Sequence, residues 1–370
     1  MNYKRCKRCV MDTSVKDIYF DNEGICNYCK EYEINSKNII FEDKEIKEKK
    51  LKNLIKTIKT ISKGQEYDCI IGLSGGADST YVAYLVKQYA LKPLVIHMDN
   101  GWNSETAVRN IENTVNKLGF DLYTHVIDWN EFKSLQLAYF KAGVLDIEAL
   151  TDHAIGVIIR RLAKQYKIKY FLSGTNMATE SMMPQSWFFD NKMDPVNIKS
   201  IYKNFTTEPF PKTFPLFSIG EYFLWRFTKY YTTVSLLNYV EYHKAEAVKV
   251  LEKELDYVNY PIKHYESVFT RFYQGYILPN KFKVDKRLPF FSTMIMSKQM
   301  TRDEAMQKLA EPAYDSELLQ TDKEFVLKKL GFTEDEFESY MNATIHDHLD
   351  FSSITAIEHK LRKIKRAIFK

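Results

Sequence analysis

The sequence predicts an α/β fold: a doubly wound parallel sheet, with a short zinc-ribbon-like module before it and a mainly helical region after it. Three observations carry this reading. Between residues 67 and 176 short apolar runs alternate with amphipathic segments, the order of parallel strands joined by crossover helices. Two Cys-x-x-Cys pairs, Cys6/Cys9 and Cys26/Cys29, stand ahead of that alternation. Beyond about residue 185 the pattern turns helical and aromatic, with Pro195, Pro209, Pro211 and Pro215 in connecting stretches. The expected units are 1–40, 41–185 and 186–370.

The elements follow in order. Residues 42–62 read as a helix with Leu51, Leu54, Ile55, Ile58 and Ile61 on one face and Gly64 after its end. Cys69-Ile70-Ile71-Gly72-Leu73 is a buried strand, followed by a helix at 79–89 with Val82, Leu85 and Val86 inward. A second strand at 93–98, a helix at 106–118 closed by Gly119 and a third strand at 122–127 come next. Helices at 129–142 and 152–166 lead to a fourth strand at 169–172, which runs into Ser173-Gly174-Thr175-Asn176. Ligands of such sheets sit beyond the carboxyl ends of the strands, where both Gly-containing loops lie. The region 186–370 is expected to complete the active site and to offer a surface for a homodimer.

The 370 residues are 45% hydrophobic and 27% charged, which permits a sizeable core and argues against disorder. Aromatics make up 14%, consistent with stacking on sugars or bases or with an AT-rich coding bias. A net charge of +5 is mild, so nucleic acid is not an expected partner. The basic run His359, Lys360, Arg362, Lys363, Lys365, Arg366 and Lys370 reads as a solvated face of a short terminal helix. No membrane span is expected, because the apolar window 214–240 is broken by Glu221, Arg226 and Lys229. The charged N-terminus (Lys4, Arg5, Lys7, Arg8) meets Cys and Asp instead of an apolar stretch, so no export signal is read. Five cysteines without such a signal imply a reducing, cytoplasmic compartment.

Sixteen residues separate Cys9 from Cys26, the spacing of two knuckles that close one tetrahedron around a structural Zn²⁺. An iron–sulfur cluster, disulfides or free thiols are the alternatives. A segment this small has little core, so metal binding would supply most of its folding energy. Cys69, in the first strand, reads as an inert core residue.

The loop Ser74-Gly75-Gly76-Ala77-Asp78-Ser79 joins the first strand to a helix. Its glycines let the backbone approach a phosphate, and the helix amides then point at the anion. Ser74 and Ser79 can add hydrogen bonds, and Asp78 can hold a magnesium ion or position the helix. The loop has neither a G-K-[ST] ending nor a G-x-G-x-x-G fingerprint. It resembles the SGGxDS loop of PP-loop (HUP-like) ATP pyrophosphatases. That resemblance implies ATP, cleaved to AMP and pyrophosphate with Mg²⁺ as counter-ion, and places Met98 beside adenine and Gly174, Thr175 and Asn176 in a second phosphate-side loop.

Within that superfamily the chain resembles the N-acetyl sugar amidotransferases. The stretches that carry this are Cys6-Lys7-Arg8-Cys9-Val10-Met11-Asp12-Thr13, Gly24-Ile25-Cys26-Asn27-Tyr28-Cys29, Gly72 to Ser79, and His97-Met98-Asp99-Asn100-Gly101-Trp102-Asn103. Further on are Thr151-Asp152-His153-Ala154, His264-Tyr265-Glu266-Ser267, Phe269-Thr270-Arg271-Phe272-Tyr273-Gln274 and Gln299-Met300-Thr301-Arg302. Leu288-Pro289-Phe290-Phe291 departs from the family pattern. The resemblance implies a nucleotide-linked N-acetyl sugar as substrate and an acetamidino sugar as product, of the kind found in lipopolysaccharide O-antigen and in pseudaminic and legionaminic acid derivatives. The chain opens Met1-Asn2-Tyr3 without a glutaminase cysteine, so a separate glutaminase subunit, with or without an ammonia-channelling partner, is expected to supply ammonia. In this frame Lys286, Arg287 and Arg271 are candidate cations, Asp152 and His153 candidates for substrate contact or proton transfer, Trp102 and Asn103 sugar contacts, and Glu180 a second magnesium ligand. The bland alternatives are ion-paired surface residues for the cations, an N-cap for Asp152 and a packed ring for His153. Two rival readings stay open: a tRNA-modifying PP-loop enzyme, and a nucleotide-binding scaffold without catalysis. The absence of further cysteines weighs against tRNA thiolation.

Overall fold

Cys69–Gly72 (β1) is a short run of apolar residues, and burial on both faces puts it at the centre of a five-stranded parallel sheet. The structure, a computed structural model, describes residues 3–260 and 265–355. β2 (Pro93–Asp99) and β3 (Asp121–Val126) pair on one side of β1, and β4 (Tyr170–Ser173) and β5 (Thr232–Ser235) on the other. The order β3-β2-β1-β4-β5 reverses its winding between β1 and β4, so the ligand crevice opens at the carboxyl ends of those two strands.

Successive side chains of a strand face opposite ways, and helices cover both faces. α1 (Asn27–Ser36) has Cys26 as its N-cap and carries Cys29 in its first turn, and α2 (Lys44–Ile61) follows it with Leu51, Ile55 and Ile58 buried. α3 (Ala77–Gln88), α4 (Glu105–Leu118), α5 (Trp129–Ala142) and α6 (Ala149–Gln165) are the crossover helices. Val82 and Val86 of α3 pack with Ile71 and Val95 on one face, whereas Ile158, Ile159 and Leu162 of α6 pack with Ile70, Leu94 and Ile96 on the other.

After β4 come α7 (Met177–Glu180), α8 (Pro195–Phe205) and α9 (Ile219–Phe227), and only then β5. The fifth strand thus lies outside the 41–185 span expected to hold the sheet. Of Thr232-Thr233-Val234-Ser235 only Val234 is buried, an edge-strand pattern with no apolar run to announce it. α10 (Lys244–Leu255) returns to the same face as α3, burying Val248, Leu251 and Leu255. α6 starts at Ala149, a turn earlier than the sequence reading, because Ala149 and Leu150 are both buried. Asp152 is therefore not its N-cap.

α11 (Val268–Phe272) runs into a π-helical stretch, Tyr273–Phe282, which accommodates Pro279, and α12 (Arg287–Met296), α13 (Arg302–Ala310), α14 (Ser316–Leu330) and α15 (Glu334–Asn342) follow. This helical region encloses an aromatic core containing Phe140, Phe269, Phe272, Phe337 and Tyr340. Val10, Met11 and Val15 of the cysteine module belong to that same core. The docking is polar as well: Val10 N donates to Ser292 Oγ (3.2 Å), and Arg302 donates to the carbonyls of Cys6 and Cys9 (both 3.2 Å). Among the described residues no helix is long and apolar enough to cross a membrane. His264 of the resemblance motif and the basic run from His359 to Lys370 lie outside the described residues.

Candidate active site

The phosphate loop is a tight strand-to-helix turn held from behind. Gly75 has φ +82°, and a Cβ there would lie 2.7 Å from the carbonyl oxygen of Ala107 in α4. Asn110 of α4 donates to Gly75 O (3.2 Å) and fixes the distance of approach. Gly76 is the N-cap of α3, so the first amides of the helix have no intrahelical acceptor. Ser74 Oγ and Ser79 Oγ are 3.2 Å apart, Gly76 N donates to Ser74 Oγ (3.3 Å), and Ser79 Oγ donates to Gly76 O (3.1 Å). This is the arrangement expected of an anion cradle.

Gly174 meets the loop from β4: a Cβ on it would sit 3.0 Å from Ser79 N. Gly174, Thr175 and Asn176 do not line the crevice. Thr175 exchanges hydrogen bonds with Ser173 and Ser235, and Asn176 caps α7 through Thr179 N (2.9 Å), so they brace the loop. Asp78 likewise does not line the cavity. Its carboxylate accepts from the Tyr242 hydroxyl and from Thr179 Oγ1 (3.5 Å), contacts that fix the start of α3. Burial, with Asp78 and Glu180 nearby, drives the Tyr242 hydroxyl far up from its ordinary pKa, so it remains a donor.

In front of the loop lies one cavity of about 670 Å³, a size suited to a nucleotide and part of a second substrate. One end is an apolar slot between Ile96, Met98, Ile155, Ile159 and Phe171, at the place expected for adenine. His97 closes its floor. Nδ1 faces the Leu73 carbonyl (3.0 Å) and must donate, so Nε2 accepts from Asn103 Nδ2 (3.1 Å). Burial lowers the His97 pKa, in keeping with that neutral tautomer. Asn103 lines the cavity as expected.

The other end is polar and comes from α6 and the helical region. Arg271, Lys286, Arg287 and Glu180 all line the cavity. Arg271 is held by Asp322 (2.5 and 2.6 Å), which also accepts from Tyr314. Arg287 is paired with Asp285 (2.8 Å) and donates to Glu311 O (2.9 Å). Lys286 alone of the three has no side-chain partner among the described residues, which leaves it the cation ready for an anionic substrate. Asp152 lines the cavity and pairs with Lys192 (2.6 Å), which also reaches Asp146 (3.2 Å). Burial pulls the Lys192 pKa down, but Asp152 and Asp146 outweigh it and keep the ammonium charged. Glu148 and Gln274, hydrogen-bonded at 2.8 Å, complete this end. Glu148 stands four residues before Asp152 on α6, a spacing that marks it as a same-face neighbour. Nothing in the sequence near Lys192 or Tyr242 points to their roles. Pro289 and Phe290, in the stretch that departs from the family pattern, form apolar wall beside Lys286.

Besides Asp78, Gly174, Thr175 and Asn176, two further expected residues lie away from the cavity. Trp102 is 1% exposed, its Nε1 donates to Gln136 Oε1 (2.9 Å), and Trp129 and Phe269 flank the ring. The indole is core, with its polar handle satisfied internally, and it makes no sugar contact. His153 is fully buried, with Nδ1 against Lys192 O (2.9 Å) and Nε2 accepting from Phe217 N (3.2 Å). Both nitrogens are spent on backbone, so it has none for proton transfer. Burial depresses its pKa to about 4, against about 6.5 in an unfolded chain. Its folded-state pKa is lowered, so its contribution, about 3 kcal/mol, is fully present above pH ~6.5 and lost as pH falls toward 4. His153→Ala should lower stability by about 2–3 kcal/mol and flatten the pH dependence of melting in that window. ATP-dependent turnover per folded molecule should stay within about threefold of the parent, where a proton-transfer role would cost about 10²-fold or more.

The four paired cysteines sit apart from the crevice. All are fully buried, and their sulfurs lie within 4.8 Å of one another, with Cys9–Cys26 at 3.6 Å and Cys26–Cys29 at 3.7 Å. A tetrahedron with Zn–S bonds of about 2.3 Å has S···S edges of about 3.8 Å, so the four thiols fit such an ion. Backbone amides of Arg8, Met11 and Cys26 donate to these sulfurs at 3.3–3.4 Å, as thiolates require. Cys69 is buried in β1, where burial pushes its thiol pKa up. No cysteine lines the cavity.

Comparisons with known proteins agree with this layout. Residues 47–207 match the family described as NAD synthase, and residues 266–365 match the one described as LPS biosynthesis protein WbpG-like, C-terminal domain. An uncharacterised protein of Methanocaldococcus jannaschii is 27% identical over 178 residues, 46% of this chain and 58% of that protein. The chain thus spans well under two thirds of that relative's length. Similar solved structures include NMN synthetase from Francisella tularensis (20% identity, 37% of this chain, 56% of that one, TM-score 0.29). NH3-dependent NAD synthetase from Campylobacter jejuni is another (14% identity, 78% of this chain, 97% of that one, TM-score 0.32). The two matched domains support an ATP-utilising enzyme of amidotransferase type. An NAD-synthase-type match followed by a WbpG-like match supports the resemblance of the chain to the N-acetyl sugar amidotransferases of the PP-loop superfamily.

Proposed function

We propose that the protein adenylates the acetamido oxygen of a nucleotide-linked N-acetyl sugar and replaces it with ammonia, forming an acetamidino group and releasing AMP and pyrophosphate. The observation that carries this is a cavity joining the phosphate loop and apolar slot to a polar end shared by α6 and the region matched as WbpG-like. An amide carbonyl is a poor electrophile. Attack of its oxygen on the α-phosphorus of ATP expels pyrophosphate and makes an imidate whose leaving group is AMP. Ammonia then adds to the carbon, a proton is lost, and AMP departs. The loop amides and Lys286 would meet charge developing on phosphate, and Asp152, held by Lys192, would orient the sugar or receive the ammonia proton. Magnesium, where bound, would neutralise pyrophosphate. The ammonia would come from a glutaminase subunit.

The test is to incubate the protein with ATP, magnesium, ammonium and a panel of nucleotide-linked diacetamido sugars. AMP is read by chromatography and the exchange of O for NH by mass spectrometry. Sugar-dependent AMP with that mass change supports the reading, and ADP with orthophosphate ends it. AMP that needs tRNA would transfer the reading to a tRNA-modifying enzyme, and ATP binding without turnover to a scaffold. Lys286→Ala should reduce kcat/KM about 10–100-fold with little change in melting temperature, since the side chain has no partner to lose among the described residues.

A further inference from the structure

α9 is apolar on both of its faces, and only one of them is covered. Buried Tyr222 and half-buried Trp225 turn inward and pack with Val157 of α6, Phe217 and Ile354. Ile219, Phe223 and Phe227 recur every fourth residue along the outer face, with Leu224 beside them. All four are exposed, Phe227 at 78% and Ile219 at 57%. The Phe223 and Phe227 rings lie parallel, with centroids 6.1 Å apart. A clustered apolar face of this kind, rimmed by polar groups, marks an interaction surface.

The rim is basic. Arg226 and Lys229 are exposed and form no ion pair among the described residues. Lys169 lies over the Tyr230 ring (3.7 Å), and Arg160 donates to Thr228 Oγ1 (3.1 Å) at the end of α9. The one acid of the helix, Glu221, is offset by Arg161 (3.6 Å) and accepts from Ser218 N (2.8 Å). Asn191 donates both to Tyr222 Oη (2.9 Å) and to Thr355 Oγ1 (2.8 Å), so the described chain ends against the inner side of α9. The sequence beyond it, 356–370, holds six Lys and Arg against a single acid, Glu358.

Apolar side chains ringed by cations complement anionic headgroups over hydrocarbon. A two-fold dimer through this face would set the same cations against each other. At nine residues α9 is too short to span a bilayer, but it can lie in the plane of the interface. We propose that α9 docks the protein on an anionic membrane surface, with Ile219, Phe223, Leu224 and Phe227 among the lipids and Arg226 and Lys229 on their phosphates.

The test is sedimentation of the full chain with vesicles of phosphatidylcholine, alone or with about 30% phosphatidylglycerol, at about 0.1 and 0.5 M NaCl. The parent should bind the anionic vesicles at least about tenfold more tightly than the neutral ones, and the higher salt should remove most of that preference. Arg226→Glu with Lys229→Glu, and separately Phe223→Ser with Phe227→Ser, should each weaken binding about tenfold or more at an unchanged melting temperature. No binding by the parent, or binding that both double variants leave intact, overturns the proposal. So does a parent dimer, seen by light scattering without lipid, that Phe223→Ser with Phe227→Ser turns monomeric, because a second copy then covers the face. A fall of several degrees in that variant's melting temperature also overturns it, because the chain's own C-terminal residues then cover the face.

Discussion

Gly75→Ala should abolish sugar-dependent AMP formation, by at least about 10²-fold in kcat/KM. Two independent costs act on one methyl group. The backbone at φ +82° disfavours any L side chain by about 1–2 kcal/mol. The new carbon would also sit 2.7 Å from the Ala107 carbonyl oxygen and 2.9 Å from its Cα, both backbone atoms of a packed helix. Relief requires the loop to move away from α4, which breaks the Asn110 bond and shifts the start of α3. A small loss in melting temperature with a large loss in AMP is the expected pair of results. Activity within threefold of the parent would show that the loop does not bind phosphate. Ser74→Ala, which removes one hydroxyl from the same cradle without strain, should cost less, about tenfold.

Removal of metal from the cysteine cluster should have the second largest effect, and a structural one. Stoichiometric zinc should be found by atomic emission in the purified protein and lost in Cys9→Ser. Structural zinc sites contribute roughly 10 kcal/mol to the folding of the modules that hold them. Four buried sulfurs without an ion would leave Val10, Met11 and Val15 without a scaffold, and these residues share a core with the helical region. Hydrogen exchange should therefore rise in the knuckles and also around Ser292 and Arg302, which bind the knuckle backbone. α12 begins beside Lys286, so the damage should reach the polar end of the cavity before the phosphate-loop end. Visible absorption from iron–sulfur charge transfer, or melting indifferent to chelation, would count against zinc.

The first four strands and the phosphate loop were legible because each rests on a local pattern: an apolar run, two glycines at a turn, a residue such as Gly119 closing a helix. The same holds for the cysteine spacing. Trp102 and His153 were misread for a non-local reason. Each carries a polar nitrogen that looks available in sequence, and each spends it on a distant partner, Gln136 for the indole and Lys192 and Phe217 for the imidazole. Arg271 and Arg287 reach the cavity as expected, yet only the fold reveals that Asp322 and Asp285 hold them.

Because β5 reaches the sheet only after α7, α8 and α9 have been laid down, the nucleotide-handling half cannot be cut free at a simple chain position. A fragment ending near residue 185 would leave the outer side of β4 as an open row of amides and carbonyls, an invitation to self-association. It would also forfeit Tyr242 and with it a tether on Asp78. Such a fragment should precipitate or form soluble aggregates, whereas one extended through α10 keeps the outermost strand and its covering helix in place.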